Sequence, residues 1–246
     1  MEPVTFAKLE PKIVLGVAAH PDDLDFYASA TFAKYIAAGA QVHYLILTNG
    51  DKGSSDPAIT SQALVALRRQ EQQAAADTIG VSSVTFLEYP DGLLEANQQV
   101  KADVVKAICE IKPDVVVTID PAMLYVPERG FINHPDHRAA GQATLDAVYP
   151  LARDHLSLPE LRKQGYHEHI VTTVLLINLA NTNYDEDVSQ TLDVKFEALA
   201  KHQSQIADMD AVCQHFTKLA SKAGAKCGCK YAESFLRIDL EPSLNL

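Results

Sequence analysis

Apolar and polar positions alternate in blocks along this chain. Residues 13–19 form a continuous apolar run with β-branched members, as in a strand covered on both faces. The run ends in His20-Pro21-Asp22-Asp23, and the pattern predicts a helix from there to about Ala38, closed by Gly39. Residues 42–47 predict a second strand, 60–79 a helix stopped by Gly80, and 84–87 a third strand. Apolar residues at Val100, Val104, Ile108 and Ile111 mark a helical stripe that Pro113 ends. A fourth strand is predicted over 115–119, a loop over 122–133, a helix from near His134 and a fifth strand over 171–179. Phe196, Leu199, Ala200 and Gln203 have the i, i+3, i+4, i+7 spacing of a helix face. Residues 231–240 read as a short helix or an edge strand. With no repeat, low-complexity tract or linker, residues 1–246 are read as a single domain.

Strands alternating with helices predict an α/β fold with a mostly parallel, twisted sheet. Right-handed crossovers then place helices on both faces, a three-layer α/β/α arrangement. In such sheets ligands bind outside the carboxyl ends of the strands. The residues at those predicted ends are polar: His20 with Asp22 and Asp23, Asn49 with Asp51, then Asp91, then Asp120.

Composition narrows the function classes. Acidic residues exceed basic ones by 32 to 21, giving a net charge of -11, the opposite of a nucleic-acid footprint. No apolar run approaches the ~20 residues of a membrane span, and the first residues lack the pattern of a secretory signal. Four cysteines in a chain of this length do not make a disulfide framework, and a cytoplasmic location is expected.

Two segments carry candidate chemistry. His20-Pro21-Asp22-Asp23 and His134-Pro135-Asp136-His137 each start a predicted helix, with proline at a favoured first position. Residues three apart share a helical face, so His20 with Asp23 and His134 with His137 are convergent pairs. Three ligands drawn from imidazole and carboxylate, with one open position, are the pattern of a catalytic zinc site. Asp22 is left free to take a proton from a metal-bound water.

These two segments resemble the signature motifs of the LmbE/PIG-L zinc-dependent N-deacetylases. Thr48-Asn49-Gly50-Asp51-Lys52-Gly53 resembles that family's Thr-x-Gly-x-x-Gly loop, and Arg68 to Glu71 its Arg-x-x-Glu helix. Tyr89-Pro90-Asp91-Gly92, His202-Gln203-Ser204-Gln205 and Tyr231-Ala232-Glu233 followed by Phe235 resemble further segments, in the family's order. The resemblance implies a Rossmann-like fold and zinc bound by His20, Asp23 and His137. It implies Asp22 as general base, His134 as oxyanion stabiliser and proton donor, and Asp136 as the residue that orients His134. Arg68 and Asp91 would contact substrate. It further implies hydrolysis of an N-acyl group, usually acetyl, from a small amino sugar or its conjugate, by a homo-oligomer (trimer or hexamer). Zinc is the expected cofactor, and iron, cobalt or manganese suit the same donors.

Departures from the family's pattern are visible. Leu24 replaces a glutamate, with Asp25 following, and Ile132 replaces a tyrosine, which leaves Tyr125 in the preceding loop as the candidate. His202 reads as a packed helix histidine, and the 122–133 loop as a segment that helps set substrate choice. The competing readings are a sugar- or nucleotide-binding module without hydrolysis, and a metal amidase acting on a non-sugar amide. Against the nucleotide reading, no Gly-x-Gly-x-x-Gly follows the first strand.

Overall fold

The structure is a computed structural model that describes residues 6–241. Its order is β1 (Ile13–Ala18), α1 (Asp23–Ala37), β2 (Gln41–Thr48), α2 (Ser61–Ile79), β3 (Ser83–Tyr89), α3 (Gln98–Ile111) and β4 (Val115–Ile119). A small hairpin follows, β5 (Tyr125–Val126) and β6 (Phe131–Ile132), joined by a single 3-10 turn at Pro127–Arg129. Then come α4 (Pro135–Asp146), α5 (Pro159–Lys163), β7 (Thr173–Ile177), β8 (Tyr184–Asp187), α6 (Leu192–Leu199), α7 (Met209–Cys227) and β9 (Ala232–Asp239).

One seven-stranded sheet runs β3-β2-β1-β4-β7-β9-β8. The first five of these pair in parallel, and β9 is antiparallel to both of its neighbours. Strand β1 divides the core between two faces, as period-two alternation requires. Val14 and Ala18 pack with Phe32 of α1, while Leu15 and Val17 pack with Val104 and Ile108 of α3 and Ala140 of α4. Every residue of β4 and β7 is buried. At ~1.5–3 kcal/mol for each large apolar side chain removed from water, these central strands anchor the sheet.

Strand order reverses at β1, where β2 lies on one side and β4 on the other. That is the switch point at which a crevice opens above the carboxyl ends. Both histidine motifs arrive there, the first straight from β1 and the second after β4.

Three expectations are corrected. The 231–240 segment is neither helix nor edge: β9 lies inside the sheet, and β8 is the edge beside it. Gln203 lies outside α6, which ends at Leu199, and a turn follows whose Ser204 N–H and hydroxyl donate to Glu71. The 122–133 loop contains the β5–β6 hairpin, closed at its base by the Asn133 N–H on the Leu124 carbonyl at 2.9 Å. No helix among the described residues is long and apolar enough to cross a membrane.

Candidate active site

The first motif is built around a strained residue. Asp22, the N-cap of α1, has φ 93°, a left-handed conformation that costs a non-glycine residue ~1–2 kcal/mol. Its N–H donates to Gln72 Oε1 at 2.7 Å, and its side chain makes no cap. The carboxylate instead meets Arg68 Nη2 at 3.2 Å. One residue on, Asp23 Oδ2 accepts from the His20 N–H at 2.8 Å and lies 3.5 Å from His20 Nδ1. Its other oxygen, Oδ1, lies 3.0 Å from His137 Nε2.

The second motif is relaxed. Pro135 begins α4, and His134 caps it by accepting the Asp136 N–H on Nδ1 at 3.2 Å. An imidazole that accepts on Nδ1 while neutral carries its proton on Nε2. His137, one turn later, donates from Nδ1 to Asn133 Oδ1 at 3.1 Å. Asn133 Nδ2 donates to the Met123 carbonyl at 2.8 Å, which fixes the amide so that its oxygen faces the histidine. The rings of His20, His134 and His137 converge, with centroids 4.8 to 5.5 Å apart.

Carboxylates dominate the electrostatics. Burial alone would lower the His20 pKa, but hydrogen bonds to Asp136, Asp23 and Asp91 push it up to about 12. Burial pushes Asp22 up to about 6 against the pull of Arg68. Asp23 is held well below its ordinary value, because His137 and His20 outweigh its burial. The His134 pKa is lowered by burial and by the charge of His20.

This donor set suits a divalent cation. His20, Asp23 and His137 offer ligand atoms within 4.8 Å of one another, and so do His20, Asp91 and His134. The outer nitrogens favour the first set. A metal-binding histidine usually gives its other ring nitrogen to a carboxylate or carbonyl. His20 gives Nε2 to Asp91 at 3.1 Å while Nδ1 faces Asp23, and His137 gives Nδ1 to Asn133 while Nε2 faces Asp23.

The PIG-L profile, described as GlcNAc-PI de-N-acetylase, matches residues 15–148, more than half of the chain. The chain belongs to the PIG-L family. With the family comes the class of chemistry, hydrolysis of an amide carbon–nitrogen bond by an N-deacetylase. A diacetylchitobiose deacetylase from Thermococcus kodakarensis is 29% identical over 228 residues, covering 90% of this chain and 81% of that protein. The solved N,N'-diacetylchitobiose deacetylase from Pyrococcus horikoshii superposes with TM-score 0.83 at 26% identity, covering 96% and 89% of the two chains. A 4-carboxy-2-hydroxymuconate hydratase from Pseudomonas putida superposes with TM-score 0.77 at 20% identity over 96% and 99% of the chains, and shares the fold. That likeness concerns the fold alone, which by itself does not fix a reaction.

Within the PIG-L site, two residues stand differently from expectation. Arg68, expected at the substrate, is 4% exposed and donates to the Gly50 and Pro21 carbonyls at 2.9 and 2.8 Å as well as to Asp22. The Thr-x-Gly-x-x-Gly loop is glycine-rich for this reason, since a Cβ at Gly50 would stand 2.7 Å from Arg68 Nη1. The Asp136 carboxylate, expected on His134, instead accepts from the Gly92 and Leu94 N–H groups and lies 3.3 Å from His20 Nε2. Its link to His134 is its own backbone N–H. Asp91 follows β3 as expected and takes the Lys52 N–H on Oδ2 at 3.2 Å. Asp120 turns away, accepting from Asn178 and the Ala122 N–H.

Sequence reasoning missed the supports. Gln72 lies four residues after Arg68 on α2, the spacing of one helical face, which was the available signal there, whereas Asn133 precedes the His134 cap of α4 and shares no helical face with His137. Leu24 is fully buried in the α1 core, and the acidic role beside the motif falls to Asp25. Asp25 takes His202 Nε2 and Gln72 Nε2, both at 2.8 Å. His202 is buried as expected, but in the turn after α6 rather than on a helix.

Proposed function

We propose that this chain is a single-domain, metal-dependent N-deacetylase that removes an acyl group, acetyl above all, from an amino sugar or its conjugate. The observation that carries this reading is the convergence of His20, Asp23 and His137 to within 4.8 Å, with the Asp22 carboxylate and the His134 ring adjoining. Those three residues would hold zinc, and iron, cobalt or manganese would accept the same donors. Bound there, the cation supplies Lewis acidity toward the acyl carbonyl and acidifies water.

The chain's own residues supply the rest. Asp22 takes the proton from the attacking water, and Arg68 holds that carboxylate in position. His134 donates a hydrogen bond from Nε2 to the carbonyl oxygen as charge builds there, and when its own proton moves to the departing amine the proton that Asp22 took from water replaces it. The Asp136 N–H keeps His134 in the required tautomer. Asp91, beside His20 at the crevice, contacts a sugar hydroxyl. Support for a substrate containing N-acetylglucosamine comes from relatives named as diacetylchitobiose deacetylases.

We also read the chain as a cytoplasmic homo-oligomer, a trimer or hexamer. Free cysteines support the compartment. Exposed Leu124, Tyr125 and Ile132 on the hairpin support an interface, which sedimentation would test.

The deciding experiment measures metal content by plasma mass spectrometry and amine release from N,N'-diacetylchitobiose. Wild type should carry about one zinc per chain, lost in Asp23→Ala together with turnover. A folded wild type that refuses offered zinc, or a loaded one that releases no amine from acylated sugars, would overturn the reading.

A further inference from the structure

Asp22 holds a conformation that its own side chain does nothing to support. Its φ of 93° is left-handed, and its carboxylate caps no N–H of α1. Such a residue persists only where its surroundings over-determine it. The determining contact is on the backbone, where the Asp22 N–H turns into the protein and donates to Gln72 Oε1 at 2.7 Å. Gln72 lies one turn after Arg68 on α2, and Arg68 Nη2 meets the Asp22 carboxylate at 3.2 Å. One face of α2 thus grips Asp22 twice, at the backbone and at the side chain.

Gln72 is itself oriented. Its Nε2 donates to Asp25 Oδ2 at 2.8 Å, and a carboxylate can only accept there, so the amide oxygen is left facing the Asp22 N–H. Asp25 is the third residue of α1, the position from which a capping-box side chain reaches back to the N-cap N–H. Here Asp25 reaches Gln72 instead, and an amide from α2 is inserted into the box. The same Asp25 oxygen takes His202 Nε2 at 2.8 Å, and its other oxygen takes the Tyr44 hydroxyl at 3.2 Å. Asp25 and Gln72 are fully buried and His202 is 1% exposed, so none of the three touches a substrate.

His202 begins a turn that braces every support of Asp22. Ser204 gives its N–H and hydroxyl to Glu71 of α2 at 2.7 and 2.6 Å. Gln205 Nε2 donates to the Gly53 carbonyl at 2.9 Å, in the glycine loop that receives Arg68. Residues 202–205 therefore hold the start of α1, the middle of α2 and that loop together. The metal-ligand candidate next door is held separately. Asp23 meets the His20 N–H and ring and the His137 ring, none of which belongs to the brace.

We propose that His202, acting through Asp25 and Gln72, is a positioning residue for the general base. It fixes the left-handed backbone of Asp22 and with it the direction of the carboxylate. The inference rests on the deacetylase reading, in which Asp22 takes a proton from the attacking water. Releasing the brace lets the Asp22 backbone relax and swings its carboxylate aside, and a misplacement of about 1 Å can cost on the order of 10²-fold in rate.

The test is a double-mutant cycle on turnover of N,N'-diacetylchitobiose, with metal content measured in parallel. His202→Leu and Gln72→Leu keep an apolar side chain of similar size and remove the bonds. Each should lower kcat about 10–100-fold, with KM and metal content unchanged. His202→Gln, whose amide nitrogen reaches the place of Nε2, should recover most of kcat, and the shorter His202→Asn should not. In an Asp22→Asn background each leucine substitution should cost about twofold at most, because the base it positions is already gone. An equal loss in both backgrounds, a loss of metal alongside kcat, or full turnover in either leucine variant would overturn the proposal. Should the leucine variants not fold, the His202→Gln and His202→Asn pair decides, and equal kcat in the two overturns it. If wild type hydrolyses no acylated sugar, the deacetylase reading fails, and hydrogen exchange at the Asp22 amide tests the brace alone. Protection lost in His202→Asn and kept in His202→Gln upholds the brace, and equal protection in both overturns it.

Discussion

The two histidine motifs differ in one residue of four, His-Pro-Asp-Asp against His-Pro-Asp-His, yet the fold treats them in opposite ways. At the first, the chain is forced into a left-handed turn at Asp22, no side chain caps the helix, and all four residues are buried. At the second, the helix is capped in ordinary geometry by His134 itself. The first motif uses strain to aim two successive carboxylates in different directions, Asp22 at Arg68 and Asp23 at two histidines. The second uses a cap to fix a tautomer. Like motifs at the starts of two helices thus divide the work, one handling charge and the other a proton.

The comparison can be broken at four points, taken from the largest expected effect to the smallest. Asp22→Asn keeps the backbone's tolerance for the turn and removes the base. Turnover should fall on the order of 10²–10⁴-fold with metal content unchanged, and wild-type turnover would dismiss Asp22 as base. His134→Ala should cost ~10²–10³-fold in kcat, again with metal retained. If plasma mass spectrometry finds the metal gone instead, the His20, Asp91, His134 set is the true ligand group. Asn133→Ala frees the His137 ring. Metal affinity should weaken ~10–100-fold in a chelator competition, with turnover returning at saturating metal. The smallest effect is on stability. His134→Ala removes the cap and should cost about 0.5–2 kcal/mol in denaturant unfolding. His134→Asn should restore most of that stability and none of the turnover, whereas Asp22→Ala removes no cap at all.

Much of this was legible because apolar runs are loud. Strand β4 has the bounds its valines predict, β1 ends one residue earlier than expected, and β2 is longer than expected by one residue at each end. What stayed silent was structure whose inward face is polar. Strand β8 reads Tyr-Asp-Glu-Asp, and its buried Glu186 is satisfied by the hydroxyls of Tyr35 and Tyr184 and by Lys34. No hydrophobic pattern marks such a strand, and without it the neighbouring β9 segment reads only as a short helix or an edge strand. In the site, the pairs His20 with Asp23 and His134 with His137 follow from spacing after parallel strands, and the grouping of His20, Asp23 and His137 was implied by the family resemblance. The turn of Arg68 into the protein does not, because it depends on a glycine loop from a different crossover. Nor does the placing of the Asp136 carboxylate, which is drawn to the backbone N–H groups of the turn after β3.

The hairpin is closed at its base by its own hydrogen bonds, and Val126 and Phe131 pack it on the core. Asn133 bonds back to both Leu124 and Met123, so the residue that steadies His137 is anchored at the base and not at the tip. The tip, Pro127 to Gly130, can therefore be lengthened, shortened or recoloured without moving the imidazole behind it. In evolutionary terms the segment is a module. Descendants of this chain could trade one clientele of sugars for another through a few changes at the tip, leaving the hydrolytic machinery as inherited.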